Sequence, residues 1–216
     1  MDEKVLNYQD ILLRRADVEL LDGPFWLNDQ LIGFYFQYLP GEKYPNVRGD
    51  VTLISGTVSF LLSHASENDA CLTIEKLGIS GNKAALFAVN NNPHVHSPNG
   101  GSHWSLLLYL VSKQQFYHFD SLGNTNHESA KRLANVVEKG VRQEGMEFVE
   151  AKVPQQEDGW MCGYYTLQIA DTVCDLASIG RLEDAGYLER SVKFDIENKL
   201  PSMQEDLKAL INKLSQ

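Results

Sequence analysis

What this sequence has little of narrows its function before any motif is considered. No apolar run approaches the roughly 18 residues that a membrane-spanning helix needs, so a soluble protein with no membrane partner is expected. Basic residues are outnumbered, since 19 Lys and Arg face 29 Asp and Glu for a formal net charge of −10. A surface that binds nucleic acid clusters Lys and Arg against the phosphates, so that class is set aside. A basic partner would suit the charge, although solubility alone explains it equally well. Cysteine is scarce, and Cys71, Cys162 and Cys174 make an odd number with no Cys-x-x-Cys pair among them. Neither a disulfide framework nor a zinc site fits that count. His94-Val95-His96 offers two imidazoles but no fourth ligand nearby, and reads as solvated loop. Met1 to Tyr8 is charged and lacks the apolar core of a secretory leader, so a reducing compartment, cytosol or nucleus, is expected. No Pro/Gly/Ser-rich linker, repeat or low-complexity tract divides the chain, and residues 1–216 are read as one domain around one core.

What is present centres on Pro154 to Tyr165, Pro-Gln-Gln-Glu-Asp-Gly-Trp-Met-Cys-Gly-Tyr-Tyr, which leads into an apolar run of helical spacing. Cys162 then opens a helix, where unpaired N–H groups and the positive end of the dipole favour a thiolate. A free cysteine at a helix start is more often a small buried hydrophobe, as expected for Cys174 and Cys71. What sets Cys162 apart is its company. His103 opens the run Trp104 to Leu110 and Asp120 closes Gln115 to Phe119, two strand ends that can lie side by side as base and orienting acid. Gln156 stands six residues before the cysteine, within reach of an oxyanion that the Cys162 N–H would also bind. His118, two residues before Asp120, is the second choice for the base.

Gly-Ser-His-Trp, Phe-Asp-Ser and Gln-(five residues)-Cys-Gly, in that chain order, resemble the ubiquitin-like-protein proteases, a family of papain-like cysteine peptidases. Leu6-Asn7-Tyr8, Leu12 to Leu21 and Trp26-Leu27-Asn28-Asp29 extend the resemblance toward its deneddylase branch. One departure is Met161, where the family usually has Asp. The resemblance implies an α+β papain-like fold, a mixed or antiparallel sheet flanked by helices with the catalytic cysteine at the start of a central helix. It implies catalysis by His103, Asp120, Gln156 and Cys162 without a cofactor. Its substrates end in Gly-Gly, so Trp26 and Trp104 would close over a tail that has no side chains, while Asp29 would meet the basic part of that tail. Core packing for the two tryptophans and helix-start stabilisation for Asp29 explain them equally well from the residues alone. The expected partner is a ubiquitin-like modifier of the cullin-attached type and its conjugates, met by a monomer. The absence of the long leading extension common in SUMO proteases points the same way. Alternatives are a SUMO- or ubiquitin-directed isopeptidase, an acetyltransferase on the same scaffold, and an inactive modifier-binding module prompted by Met161.

In chain order, Val5 to Tyr8 and Leu12 to Leu21 read as irregular strand ending at Asp22-Gly23-Pro24. Leu31, Phe34, Tyr35 and Tyr38 recur at helical spacing from Leu27 until Pro40-Gly41. Val51 to Leu62 and Leu72 to Leu77 read as two short helices separated by Ser63 to Asp69, and Ala84 to Asn90 as a strand. Asn91 to Gly101 is a loop beside the site, read as a mobile gate. Trp104 to Val111 and Gln115 to Phe119 form a hairpin, Ser129 to Val141 a surface helix, Met146 to Val153 a strand and Cys162 to Leu176 the central helix. Ser202 and Glu205 form a capping box for a last helix carrying Leu207, Leu210 and Leu214.

Overall fold

The computed structural model describes residues 3–92 and 100–216, so His94, His96 and most of the expected gate lie outside the described residues. A five-stranded mixed sheet runs through the middle. Its strands are β3 (Val51–Ile54), β4 (Ala84–Asn90), β5 (Trp104–Leu110), β6 (Gln115–Phe119) and β7 (Glu147–Glu150), hydrogen-bonded in that order. The inner pairs are antiparallel, and each edge strand is parallel to its neighbour. A separate antiparallel pair, β1 (Lys4–Tyr8) and β2 (Ile11–Arg14), leads into the short helix α1 (Arg15–Glu19).

Alternation along the strands sorts their side chains onto two faces. Ala84, Leu86, Ala88, Leu106, Leu108, Leu110, Tyr117 and Phe119 face one core, covered by α2 (Asp29–Tyr38), α6 (Cys162–Ser178), α7 (Ala185–Asn198) and α8 (Met203–Leu214). Ala85, Phe87, Val89, Leu107, Tyr109 and Phe116 face the other, under α3 (Gly56–His64), α4 (Glu67–Lys76) and α5 (His127–Gly140). Because both faces of β4 and β5 are covered, those strands read as continuous apolar runs. Helix α6 is buried along almost its whole length and packs against β5, and Cys162 at its start meets His103, the residue before that strand.

Five local expectations change. Leu12 to Leu21, read as irregular strand, is strand only to Arg14 and then turns helical through α1 and a 3-10 turn at Leu20–Asp22, because the Asp17 carboxylate accepts from the Arg14 N–H and starts the helix. Val51 to Ile54 is an edge strand, and the helix begins only at Gly56, where the Ser55 side chain accepts from the Val58 N–H. The β-branched Val51, Thr52 and Ile54 favour the pleated strand, and Ser55 supplies a helix start in the middle of the apolar run. Ser66 likewise caps α4 from Glu67, inside the stretch read as a separator. The Ser202 hydroxyl donates to Asp206 Oδ2, so the box with Glu205 does not form. Cys71 is only half-buried, with its thiol directed at the Lys139 carbonyl, because α4 turns that residue to the rim of the core.

Candidate active site

Short-range chemistry brings Cys162 into position. Asp158 Oδ1 accepts from the Trp160 and Met161 N–H groups, 2.9 and 2.8 Å away, and so turns the chain into α6. Met161 occupies the N-cap without a capping side chain and packs against the core. Asp158 therefore anchors the entry to α6 that an Asp at 161 would otherwise flank. Gly163 lets this first turn approach the segment just before α2 closely, since a Cβ there would lie 2.8 Å from Leu27 Cβ.

His103 stands just before β5 and is held by backbone contacts on both sides. Its N–H donates to Asn91 Oδ1, and its carbonyl accepts from the side-chain amides of Asn90 and Asn126. Its Nε2 lies 2.5 Å from Asp120 Oδ1, with both side chains almost inaccessible, and the ring also hydrogen-bonds Cys162. Burial works against a charged imidazole here, but the hydrogen bonds to Asp120 and Cys162 and their charges prevail, so the His103 pKa is raised to about 9. Asp120 also accepts from the Leu122 and Asn126 N–H groups. Against the opposing effect of burial, the His103 bond and these N–H groups hold its carboxyl below the usual range.

Gln156 is 8% exposed and is tied to Ser121, the residue after Asp120. Its Nε2 donates to the Asp158 carbonyl at 2.7 Å, its Oε1 accepts from the Ser121 hydroxyl at 2.8 Å, and its N–H donates to the Ser121 carbonyl. One Nε2 hydrogen remains for a further acceptor. This arrangement suits nucleophilic attack by a thiolate on a carbonyl, with an imidazolium to protonate the leaving group.

A cleft of about 480 Å³ leads to His103, and Trp26, Asp29, Gly56, Thr57 and Trp104 line it. The Trp104 indole N–H donates to the Leu27 carbonyl at 2.9 Å, and its six-membered ring lies flush against Gly56, where a Cβ would come within 2.5 Å. Trp26 is half exposed, with its indole N–H on the Gly159 carbonyl, and Asp29 accepts from the Thr57 hydroxyl at 2.9 Å. The structure thus brings His103, Asp120 and Cys162 together, ties Gln156 to Ser121 beside Asp120 and to Asp158 before Cys162, and sets Trp26, Asp29 and Trp104 along the cleft that reaches His103. His118 stands apart. It is fully buried on the other core, with Nε2 on Ser105 Oγ and Nδ1 on Glu150, so neither nitrogen is open to a substrate.

Sequence reasoning missed the residues that hold the site: Asn90, Asn91, Asn126, Ser121 and Gln155. The Asn90-Asn91-Asn92 run was legible only as a turn before Pro93, and Ser121 only as the neighbour of Asp120. Gly56 was hidden inside a stretch read as continuous helix.

Residues 89–202 match the family model described as the Ulp1 protease family, C-terminal catalytic domain. Sentrin-specific protease 8 of Homo sapiens is 36% identical over 177 residues, covering 81% of this chain and 82% of its own. NEDD8-specific protease 1 of Arabidopsis thaliana is 32% identical over 216 residues, covering 99% of this chain and 94% of its own. Among solved structures, the C-terminal Ulp1 protease domain in complex with Smt3, the yeast ortholog of SUMO, superposes with a TM-score of 0.70 over 100% of this chain and 89% of the other at 19% identity, a likeness of fold. With a family model spanning more than half its length and relatives above 30% identity over most of theirs, this chain belongs to the Ulp1 protease family.

Proposed function

We propose that the protein is a deneddylase, a cysteine peptidase that cleaves after the carboxyl-terminal diglycine of the ubiquitin-like modifier carried by cullins. The buried His103–Asp120 pair in hydrogen-bonding contact with Cys162 at the start of α6 carries the chemical half of this reading. Full-length similarity to a NEDD8-specific protease supports the choice of modifier.

In this mechanism the Cys162 sulfur attacks the carbonyl carbon of the terminal glycine. The carbonyl oxygen becomes an oxyanion that accepts from the remaining Gln156 Nε2 hydrogen and the Cys162 N–H. One such donor is worth about 3 kcal/mol to the transition state. As the carbon–nitrogen bond breaks, His103 gives its proton to the departing lysine amine and the modifier stays on sulfur as a thioester. His103, now neutral, takes a proton from water as the water oxygen attacks, and the thiolate leaves with the imidazolium restored. Asp120 fixes the ring through Nε2, which leaves Nδ1 for the reacting groups. Trp26 and Trp104 are proposed to close over the diglycine, and Asp29 to meet the basic part of the tail. Three free thiols suit a reducing cytosol or nucleus.

A panel of modifiers with electrophilic tails tests the reading. The cullin modifier has Ala where ubiquitin has Arg shortly before the glycines, and burying an unpartnered guanidinium is costly. The cullin-modifier probe is expected to label Cys162 much faster than the ubiquitin probe, with SUMO slower still. Indifference to the Ala-to-Arg exchange would defeat the deneddylase assignment while keeping the peptidase. Hydrolysis of a fluorogenic modifier conjugate without acetyl-CoA separates the protease from an acetyltransferase, and Cys162→Ala binding without turnover separates it from a mere binding module.

A further inference from the structure

Gln156 can serve an oxyanion only if its amide presents nitrogen, not oxygen, to the reacting carbonyl. Nothing in a glutamine side chain fixes that choice, since its terminal torsion is soft and nearly two-fold. The surroundings fix it. The Asp158 carbonyl can only accept, so the amide atom facing it at 2.7 Å must be Nε2. Oε1 is then turned to Ser121, and the hydroxyl 2.8 Å away must donate.

Ser121 is 1% exposed, so no solvent can replace that donor readily. It grips Gln156 twice, because its carbonyl also accepts the Gln156 N–H at 2.8 Å. Gln155 reinforces the junction, donating to the Asp120 carbonyl and accepting from the Gly123 N–H. The loop that carries Asp120 is therefore zipped to the segment that carries Gln156. Acid and oxyanion donor are thereby held in one frame.

We infer that Ser121 is a positioning residue: with Nε2 assigned by the Asp158 carbonyl, the Ser121 hydroxyl holds Oε1 and so keeps the Gln156 amide plane where its second N–H meets the oxyanion, without touching substrate. The inference rests on the oxyanion role proposed for Gln156. Without the hydroxyl, Oε1 is left buried and unpaired, a situation costly enough for the amide to rotate toward another donor. The effect belongs to the transition state, so it falls on kcat and leaves KM nearly alone.

The test is a double-mutant cycle on kcat per active site, the sites being counted by an irreversible modifier probe so that unfolded protein does not enter. Ser121→Ala is expected to lower kcat about tenfold, and Gln156→Ala about a hundredfold to a thousandfold, with KM changed less than about twofold in each. In the Gln156→Ala background Ser121→Ala should cost nothing more. Binding of a modifier ending in an aldehyde, whose hemithioacetal carries the same oxygen, should weaken in Ser121→Ala in step with kcat. Ser121→Thr, which keeps the hydroxyl, should restore most of the rate. If Ser121→Ala costs the same tenfold with and without Gln156, it acts by another route and the inference is overturned. A normal kcat in Ser121→Ala overturns it too while leaving the oxyanion role standing, whereas a normal kcat in Gln156→Ala removes both.

Discussion

His103 Nε2 and Asp120 Oδ1 are 2.5 Å apart in a site that solvent barely reaches, and this pair sets how the protein responds to pH. Two consequences can be measured.

The first concerns stability. Despite burial, which opposes the charge, bonds to Asp120 and Cys162 raise the His103 pKa from its ordinary 6.5 to about 9. A raised folded-state value means that His103 stabilises the fold fully below pH 6.5, and that this contribution is lost as pH climbs through about 9. In urea unfolding, His103→Gln should therefore lie furthest below the parent protein at pH values below 6.5 and converge with it above about 9. A gap independent of pH would mean that His103 is not charged in the fold. On the kinetic side, Asp120→Asn should move the alkaline limb of kcat/KM down from about 9 toward 6.5, and should slow the reaction by about a hundredfold or more.

The second concerns the thiols. Cys162 faces the charged His103 ring, whereas burial and the nearby Asp171 charge push the Cys174 thiol far up, and the Cys71 thiol is directed at the Lys139 carbonyl. Iodoacetamide at about pH 6 should label Cys162 first and leave Cys174 untouched until the protein unfolds. His103→Gln should remove the preference for Cys162. Equal labelling of all three cysteines in the folded protein would remove the case for a nucleophile.

How much of this was legible beforehand follows from what each signal depends on. Chain order and short motifs pointed to Cys162, His103, Asp120 and Gln156, because those residues carry chemistry that rarely assembles by chance. Uninterrupted apolar runs gave β4 and β5, which are covered on both faces. The edge strand β3 was lost because its four residues, paired with β4, share an apolar run with α3. Helix α7 escaped because its start rests on one residue, Asp184, whose carboxylate accepts from the Tyr187 N–H, and its exposed faces dilute the periodicity. The asparagines around His103 were invisible since their partners are distant in sequence: Asn126 reaches the carbonyls of Val89 and His103.

Gly56 predicts a steric effect on the cleft. A methyl there would sit within 2.5 Å of the Trp104 ring, while the Leu27 carbonyl holds the far side of the indole. The ring has to leave its place or the helix start has to shift. Gly56→Ala should raise KM for modifier substrates by about tenfold or more, the scale on which a small misplacement at a site is felt. Alkylation of Cys162 by iodoacetamide, which does not need the cleft, should stay near its normal rate. Loss of both together would place the damage at the nucleophile instead.

Asn126 joins the site to a second polar chain. Its N–H donates to Asp120 Oδ2, and its side-chain amide donates to the His103 carbonyl and to Ser105 Oγ at 2.9 Å. The Ser105 hydroxyl also meets His118 Nε2 at 2.9 Å, and His118 Nδ1 meets Glu150 at 2.8 Å, so the chain runs on to the edge strand β7. Glu150 also meets His127 near the surface, 2.5 Å away. Burial works against the Glu150 charge, but the two histidines prevail and hold its carboxyl below the usual range. Replacing Asn126 by Ala removes the hold on the His103 carbonyl while the backbone bond to Asp120 can persist. Asn126→Ala should then cut kcat by roughly tenfold to a hundredfold and lower the alkaline limb, since a looser His103 makes a weaker bond to Asp120. His118→Gln keeps a polar partner for the Ser105 hydroxyl and should be nearly silent, whereas His118→Leu strips buried Ser105 of its imidazole partner while Glu150 keeps His127, and should cost about 1–3 kcal/mol of stability. If Asn126→Ala lowered stability alone, with kcat and its pH profile unmoved, the asparagine would be part of the scaffold and His103 would owe its position to Asn90 and Asn91.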